Sequence, residues 1–284
     1  MIDRRGFLAL ASGTVAGIGT SAARGGAGEG DPFGGFTVGV QSYTFRQFTL
    51  DRALGQIKSL GLNSVELSLG HAPLTGDPAR VKAIARLCQE HGVAPRVWGV
   101  QKFTKDMDAN RKAFEFGKAL GLQALSANPD PDAFASLDKL CGEYKIAIAI
   151  HPHGPTGVGK LDRWYSAELI HAAVKDHRPL IGACLDTGHL IRCAQLGKRL
   201  DPAEQIRVMG ARNFGLHLKD HDNAARTDVP FGRGVLDVIG VLKALREVRF
   251  KGMISIEYEA RPEDPIADVR ACLATFKESV KKLS

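Results

Sequence analysis

No stretch beyond residue 30 of this 284-residue chain is apolar for long enough to span a bilayer, so no membrane-spanning helix is expected there. Cysteine is equally unhelpful as a scaffold. Cys88, Cys141, Cys184, Cys193 and Cys272 form no CxxC pair, and an odd count at irregular spacing describes no disulfide framework. They read as small core-filling residues. Concentrated basic charge is missing too. The net charge of +7 is spread along the chain in short clusters such as Lys281-Lys282, so it reads as a solvated surface and no nucleic-acid partner is expected. No Pro/Gly-rich linker interrupts residues 36–284, which argues for one domain. What is present is ordinary for a globular enzyme, with 44% hydrophobic and 24% charged residues.

The first thirty residues differ from the rest. Asp3-Arg4-Arg5-Gly6-Phe7-Leu8 precedes a weakly apolar run to Ala23 and a Gly-rich stretch from Gly25 to Gly30. This resembles a twin-arginine export signal with a Gly-rich linker over residues 1–30. The resemblance implies an exported, periplasmic or other extracytoplasmic protein, carried across already folded and with any cofactor in place. The folded domain is then expected over 33–284.

From residue 36 short β-branched runs alternate with longer amphipathic stretches, eight times over. The strand candidates are 36–40, 64–69, 95–100, 123–126, 146–151, 180–185, 214–218 and 253–257. Their apolarity on both faces is what a buried parallel sheet requires. Helical patterns lie between them, at 50–60, 78–91 and 105–120, and each is closed by a glycine: Gly61, Gly92 and Gly121. The repeat predicts a single-domain (β/α)8 TIM barrel. The alternative, a doubly wound open sheet, lacks its Gly-rich phosphate loop, because Gln41-Ser42-Tyr43 follows the first strand.

In such barrels the βα loops build the site, so polar residues at the C-terminal ends of strands face it. Here those ends carry Glu66, Lys102, His151 with His153, Asp186 with His189, His217 with Lys219, and Glu257. One histidine at a strand end is more often a hydrogen-bonded rim residue than a ligand. Successive strand ends converging on imidazole and carboxylate are costly to bury without a shared purpose, and a divalent cation is such a purpose.

These residues stand in motifs. Asp186-Thr187-Gly188-His189, His217-Leu218-Lys219-Asp220, Ile254-Ser255-Ile256-Glu257, Val65-Glu66-Leu67 and the loop Phe231-Gly232-Arg233-Gly234 resemble, in order and strand placement, the xylose-isomerase-like barrel superfamily. Sugar phosphate isomerases and epimerases, inosose dehydratases and endonuclease IV share that fold. The resemblance implies one divalent metal held by Asp186, His217 and Glu257, with a fourth ligand from strand five. Ketose epimerases of this kind carry glutamate there, whereas this chain has His151-Pro152-His153-Gly154. With His151 as the fourth ligand, the mixed N/O set points to Mn, Co, Fe or Zn rather than Mg.

The substitution bears on the reaction. A symmetric scheme with two metal-bound glutamates loses one of its bases. The expectation is therefore an isomerase or lyase acting on a keto-sugar or related polyol, removing a proton next to a carbonyl that the metal polarises. Glu257 is the candidate base, His153 and His189 are candidate proton carriers, and Lys219 either steadies a developing enediolate or forms a salt bridge to Asp220 or Glu257. Glu66, Lys102 and Arg233 are candidate substrate contacts. The alternatives are a sugar epimerase, a non-catalytic metal- or sugar-binding barrel, and a nuclease of the endonuclease IV type. The last is disfavoured because residues 227–234, where that family has a further Asp-x-His pair, contain no histidine.

Overall fold

The computed structural model describes residues 31–283, so the expected export signal lies outside the described residues. Eight parallel strands close into a barrel: β1 (Thr37–Gln41), β2 (Ser64–Ser68), β3 (Ala94–Phe103), β4 (Ala124–Pro129), β5 (Ala147–Ile150), β6 (Ile181–Asp186), β7 (Asn213–Leu218) and β10 (Met253–Ile256). β10 closes the ring by pairing in parallel with both β1 and β7. Helices α1 (Leu50–Ser59), α2 (Pro78–Glu90), α3 (Met107–Ala119), α4 (Phe134–Tyr144), α5 (Ala167–Val174), α6 (Thr187–Arg192), α7 (Pro202–Met209), α8 (Val238–Glu247) and α9 (Ile266–Lys281) alternate with the strands, except that α6 and α7 both follow β6. The expected single (β/α)8 barrel is what the chain forms. No helix among the described residues is long and apolar enough to cross a membrane.

Helix ends follow local chemistry. α3 begins two residues later than its apolar pattern suggests, because Asp106 caps it by accepting the N–H groups of Asp108 and Ala109, each at 3.0 Å. Gly61, Gly92 and Gly121, just beyond α1, α2 and α3, sit at φ of 80°, 62° and 70°, where a side chain is disfavoured.

The main core lies between the outward faces of the strands and the helices. Trp98, Phe45, Phe103 and Phe114 are its largest fully buried side chains, and burying a residue of this kind is worth roughly 1.5–3 kcal/mol. Inside the barrel the side chains are smaller: Val97, Ala124, Ala147, Ala149, Cys184 and Met253 form a separate cluster. Gly99 shows how tight that interior is, since a Cβ there would stand 2.3 Å from the carbonyl oxygen of Ser126. All five cysteines are free and buried, and burial pushes Cys141 and Cys272 up to about 12, which leaves them inert thiols as a core role requires.

One element was not expected. Past β7 the chain forms a small antiparallel hairpin, β8 (Asp220–Asp222) with β9 (Thr227–Val229). Asp220 then organises the following Gly-x-Gly loop, accepting the N–H groups of Gly232, Gly234 and Leu236, each at 3.0 Å.

Candidate metal centre

Polar residues meet at the C-terminal mouth because each inward-facing row of the barrel turns from small to charged there. Beyond β5, His151 is held by its own N–H, donated to the carbonyl of Ala127 at 2.8 Å. At the end of β6, Asp186 doubles as the N-cap of α6: its Oδ1 accepts the His189 N–H at 2.7 Å, which leaves Oδ2 for other work. β7 contributes His217 and, just past its end, Lys219. The segment after β10 contributes Glu257 and Glu259. Gly188 makes room for the lysine stem, since a Cβ there would meet Lys219 Cγ and Cδ at 2.6 Å.

His151, Asp186, His217 and Glu257 each bring one ligand atom into a group whose members all lie within 4.8 Å of one another. His151 Nε2 is 2.9 Å from His217 Nδ1, and His217 Nδ1 is 3.1 Å from Glu257 Oε2. Asp186 Oδ2 lies 3.5 Å from His151 Nε2 and 3.7 Å from His217 Nδ1. Two donors on one ion at 2.0–2.2 Å stand roughly 2.8–3.6 Å apart in tetrahedral or octahedral arrangements, so the observed spacings suit a single shared cation.

Two further observations fit a cation. Asp186 is fully buried, yet its Oδ2 has no hydrogen-bond partner among the described residues. Its nearest cation is the Lys219 ammonium at 3.3 Å, shared with two other carboxylates, and a buried carboxylate oxygen without a hydrogen bond is costly in a way that a metal would relieve. The second observation is a tautomer. Glu66 Oε2 accepts from His217 Nε2 at 2.9 Å, so in the neutral ring the hydrogen sits on Nε2 and Nδ1 turns a lone pair toward Glu257. Lone pairs facing each other at that distance need a proton or a cation between them. Glu66 thus forms the carboxylate–histidine–ligand arrangement that orients metal-binding imidazoles.

The electrostatics follow from one buried ammonium among carboxylates. Lys219 Nζ hydrogen-bonds Glu259, lies 2.9 Å from Glu257 Oε2 and sits 3.3 Å from Asp186 Oδ2. Burial works against its charge, but Asp186, Glu257 and Glu259 outweigh that and raise it well above the ordinary lysine value. Burial alone would raise the Glu257 carboxyl; Lys219 and His217 reverse this and hold it well below the usual carboxylate range. Burial opposes the His217 cation too, yet Cys184, Glu66 and Glu257 lift it well above the ordinary histidine value. His153 and His189 go the other way. Burial, reinforced by His151, pushes His153 down to about 4, and burial holds His189 well below the usual range, so both are neutral at pH 7.

Above the group lies a cavity of about 420 Å³, within the ~300–1,000 Å³ common for small-molecule sites. His151, His153, His189 and Glu257 border it together with Gln41, Tyr43, Ser68 and Glu259. The expected ligands and proton carriers are therefore assembled at one place. The expected substrate contacts are not. Glu66 is 1% exposed and sits beneath His217, where Ser126 Oγ at 2.5 Å and Ser255 Oγ at 2.8 Å also donate to it, so it supports His217 and does not border the cavity. Lys102 is drawn aside because β3 runs on to Phe103, and it pairs with Asp130 at 2.7 Å. Arg233 is exposed on the loop that Asp220 organises. Lys219 takes the Glu257 salt bridge, while Asp220 faces the loop amides.

Ser126, Ser255, Cys184 and Glu259 were not singled out from the sequence. The strand period of two held the signal: Ser255 and Glu259 flank Glu257 at that spacing, and Cys184 stands two before Asp186. Glu66→Gln should keep the fold but weaken divalent-metal affinity about 10- to 100-fold, the usual effect of losing an imidazole's carboxylate partner. Metal titration of the purified variant checks this, and unchanged affinity would show that Glu66 only fills space.

The family model described as the xylose isomerase-like TIM barrel matches residues 54–278. No curated protein matches the chain significantly. Similar solved structures include an uncharacterized protein from Parabacteroides distasonis, at 26% identity and TM-score 0.65, covering 88% of this chain and 99% of that one. A D-tagatose 3-epimerase-like protein is similar at 18% identity and TM-score 0.68, with coverage of 87% and 98%. So is a 3-keto-D-glucoside 4-epimerase from E. coli, at 15% identity and TM-score 0.66, with coverage of 86% and 99%.

Proposed function

The chain belongs to the xylose isomerase-like TIM-barrel family, and on that premise we propose that it is a divalent-metal-dependent isomerase or lyase of a keto-sugar or related polyol. The observation that carries this reading is the buried group of His151, Asp186, His217 and Glu257, with a carboxylate oxygen that has no hydrogen bond among the described residues, beside a cavity that His151 and Glu257 border. A divalent ion held by these four would act as a Lewis acid toward a carbonyl or vicinal hydroxyls, and the two-nitrogen, two-oxygen donor set favours Mn, Co, Fe or Zn over Mg. The chain's own groups do the rest. Glu66 fixes the His217 ring, and Lys219 holds Glu257 and Glu259 side by side and offsets their charge. His153 and His189, neutral beside the cavity, accept or return a proton. Glu257 is the carboxylate nearest to both ligands and cavity, and is the base candidate.

The names of two similar structures support a sugar-like ketone as the substrate class, and they also favour the second reading, epimerisation. Incubating metal-loaded protein with keto-sugars in deuterated water tests the proposal. Metal-dependent deuterium incorporation at a carbon beside the carbonyl, with isomerised or eliminated product, is expected. A metal-loaded protein that exchanges no proton from any keto-sugar would leave only a binding role.

Export by the twin-arginine route belongs to the same reading, supported by Arg4-Arg5 ahead of Phe7-Leu8. Replacing both arginines with lysine should retain the protein in the cytoplasm. Fractionation that finds it exported as before would remove this part of the proposal.

A further inference from the structure

The carboxylates around Lys219 are not equivalent. Glu66 is satisfied below His217 by two hydroxyls and an imidazole N–H, and Asp186 and Glu257 belong to the ligand group. Glu259 is left. Among the described residues it is the one carboxylate bordering the cavity that stands outside the ligand group. Its backbone is pinned from both sides: its N–H donates to Asp228 Oδ2 at 3.3 Å, and its carbonyl accepts from Arg46 Nη2 at 2.7 Å. Arg46 in turn stacks on the Tyr43 ring, 4.7 Å from its centroid, and Tyr43 borders the cavity. The side chain is pinned as well, since Oε1 accepts from the fully buried Lys219 ammonium. Oε2 accepts no hydrogen bond from the described residues, and the side chain is 34% exposed.

A carboxylate fixed at three points, bordering the cavity and with one oxygen free of hydrogen bonds, is a preorganised acceptor for hydroxyl hydrogens. The geometry points to Glu259 as the residue that reads substrate hydroxyls, making a polyhydroxylated ketone rather than a plain ketone the substrate class. This rests on the sugar reading above and adds to it a specificity-determining residue. The period of two that places Glu257 in the ligand group carries Glu259 one step further along the chain, still at the cavity wall. The Lys219 bridge couples their positions without making them the same kind of group.

Glu259→Gln keeps the shape and the Oε1 acceptor but removes the charge. D-fructose and its mono-deoxy analogues, titrated calorimetrically into cobalt-loaded protein, are the probes. Wild type should bind D-fructose and discriminate against at least one analogue. Glu259→Gln should bind one equivalent of cobalt as wild type does, bind D-fructose on the order of 10- to 100-fold more weakly, and no longer discriminate against that analogue. Equal D-fructose binding by wild type and variant overturns the assignment while leaving the metal-and-sugar reading in place. Loss of cobalt by the variant overturns it differently, by showing that Glu259 serves the metal group, directly or through Lys219, and not the substrate. Failure of the cobalt-loaded wild type to bind any of these sugars removes the sugar reading and this inference with it.

Discussion

Asp186→Ala should yield a folded barrel that retains no stoichiometric divalent metal, with turnover lost alongside it. Asp186 has its Oδ2 buried with no hydrogen bond among the described residues, its nearest cation being the Lys219 ammonium 3.3 Å away that Glu257 and Glu259 also share, so the residue is free to serve as a ligand. Its removal has a structural cost that can be separated from the metal loss. Oδ1 caps α6, and losing such a cap costs about 1 kcal/mol. Against this, the deletion also removes one of the carboxylates crowded around Lys219. The variant should therefore melt within a few degrees of metal-free wild type. Wild type should gain thermal stability on adding Co or Zn, because a ligand that binds only the folded state stabilises it by mass action, and Asp186→Ala should gain almost none.

Metal loading should also depend on pH with a definite sign. In the metal-free protein His217 is held protonated by its carboxylate neighbours to well above the ordinary histidine value, so a metal must displace that proton. Below that raised value, which includes neutral pH, apparent affinity should rise about tenfold per pH unit for one released proton. Metal analysis, thermal melts and a pH series check these points together. An Asp186→Ala protein that keeps one tightly bound ion would show that the four-residue group is not the site.

The architecture was legible because strands buried on both faces must be apolar throughout, and residues 146–150 are almost pure hydrocarbon until His151. The hairpin of β8 and β9 was not, since Asp220-His221-Asp222 and Thr227-Asp228-Val229 have no apolar face to betray them. Its stability comes from pairings that only tertiary structure reveals, such as His221 Nδ1 with Asp228 Oδ1 at 2.9 Å. The ligand group was legible as strand-end chemistry, because parallel strands of a barrel all deliver their C-terminal residues to one mouth. Depth within the barrel was not legible. Glu66 looks like any other strand-end carboxylate in sequence, but β2 places it level with Ser126 and Ser255, one layer below the cavity, and that layer decides that it supports an imidazole instead of a substrate. Lys102 was misplaced for a related reason: β3 extends past Gly99 to Phe103, carrying the lysine to the rim, where Asp130 captures it.

Glu257→Gln should lower turnover on the order of 10²–10⁴-fold, the range for a removed general base, while the deuterium pattern tells what kind of base it was. Glu257 has competing duties. Its Oε2 faces His217 at 3.1 Å and Lys219 at 2.9 Å, and both hold it well below the usual carboxylate range, which weakens it as a proton acceptor. A glutamine there keeps one oxygen for the ligand group but loses the charge that Lys219 offsets. Metal content must therefore be measured in the same sample, so that lost affinity is not read as lost base. With metal retained, a drop in turnover and in solvent exchange together identifies Glu257 as the base. Retained exchange with lost product formation instead assigns proton removal to His153 or His189, the neutral imidazoles beside the cavity, and leaves Glu257 a ligand alone. In wild type β5 is followed by His151, and Asp186, the other carboxylate of the ligand group, does not border the cavity, so Glu257 is the one carboxylate of that group placed to reach a substrate. Exchange should accordingly occur from one face, with the proton returned to the neighbouring carbon or a β-substituent expelled. Rapid inversion at the exchanging carbon, with solvent deuterium in the epimer, would mean that an imidazole serves as the second base, and the epimerase reading would replace the isomerase or lyase one.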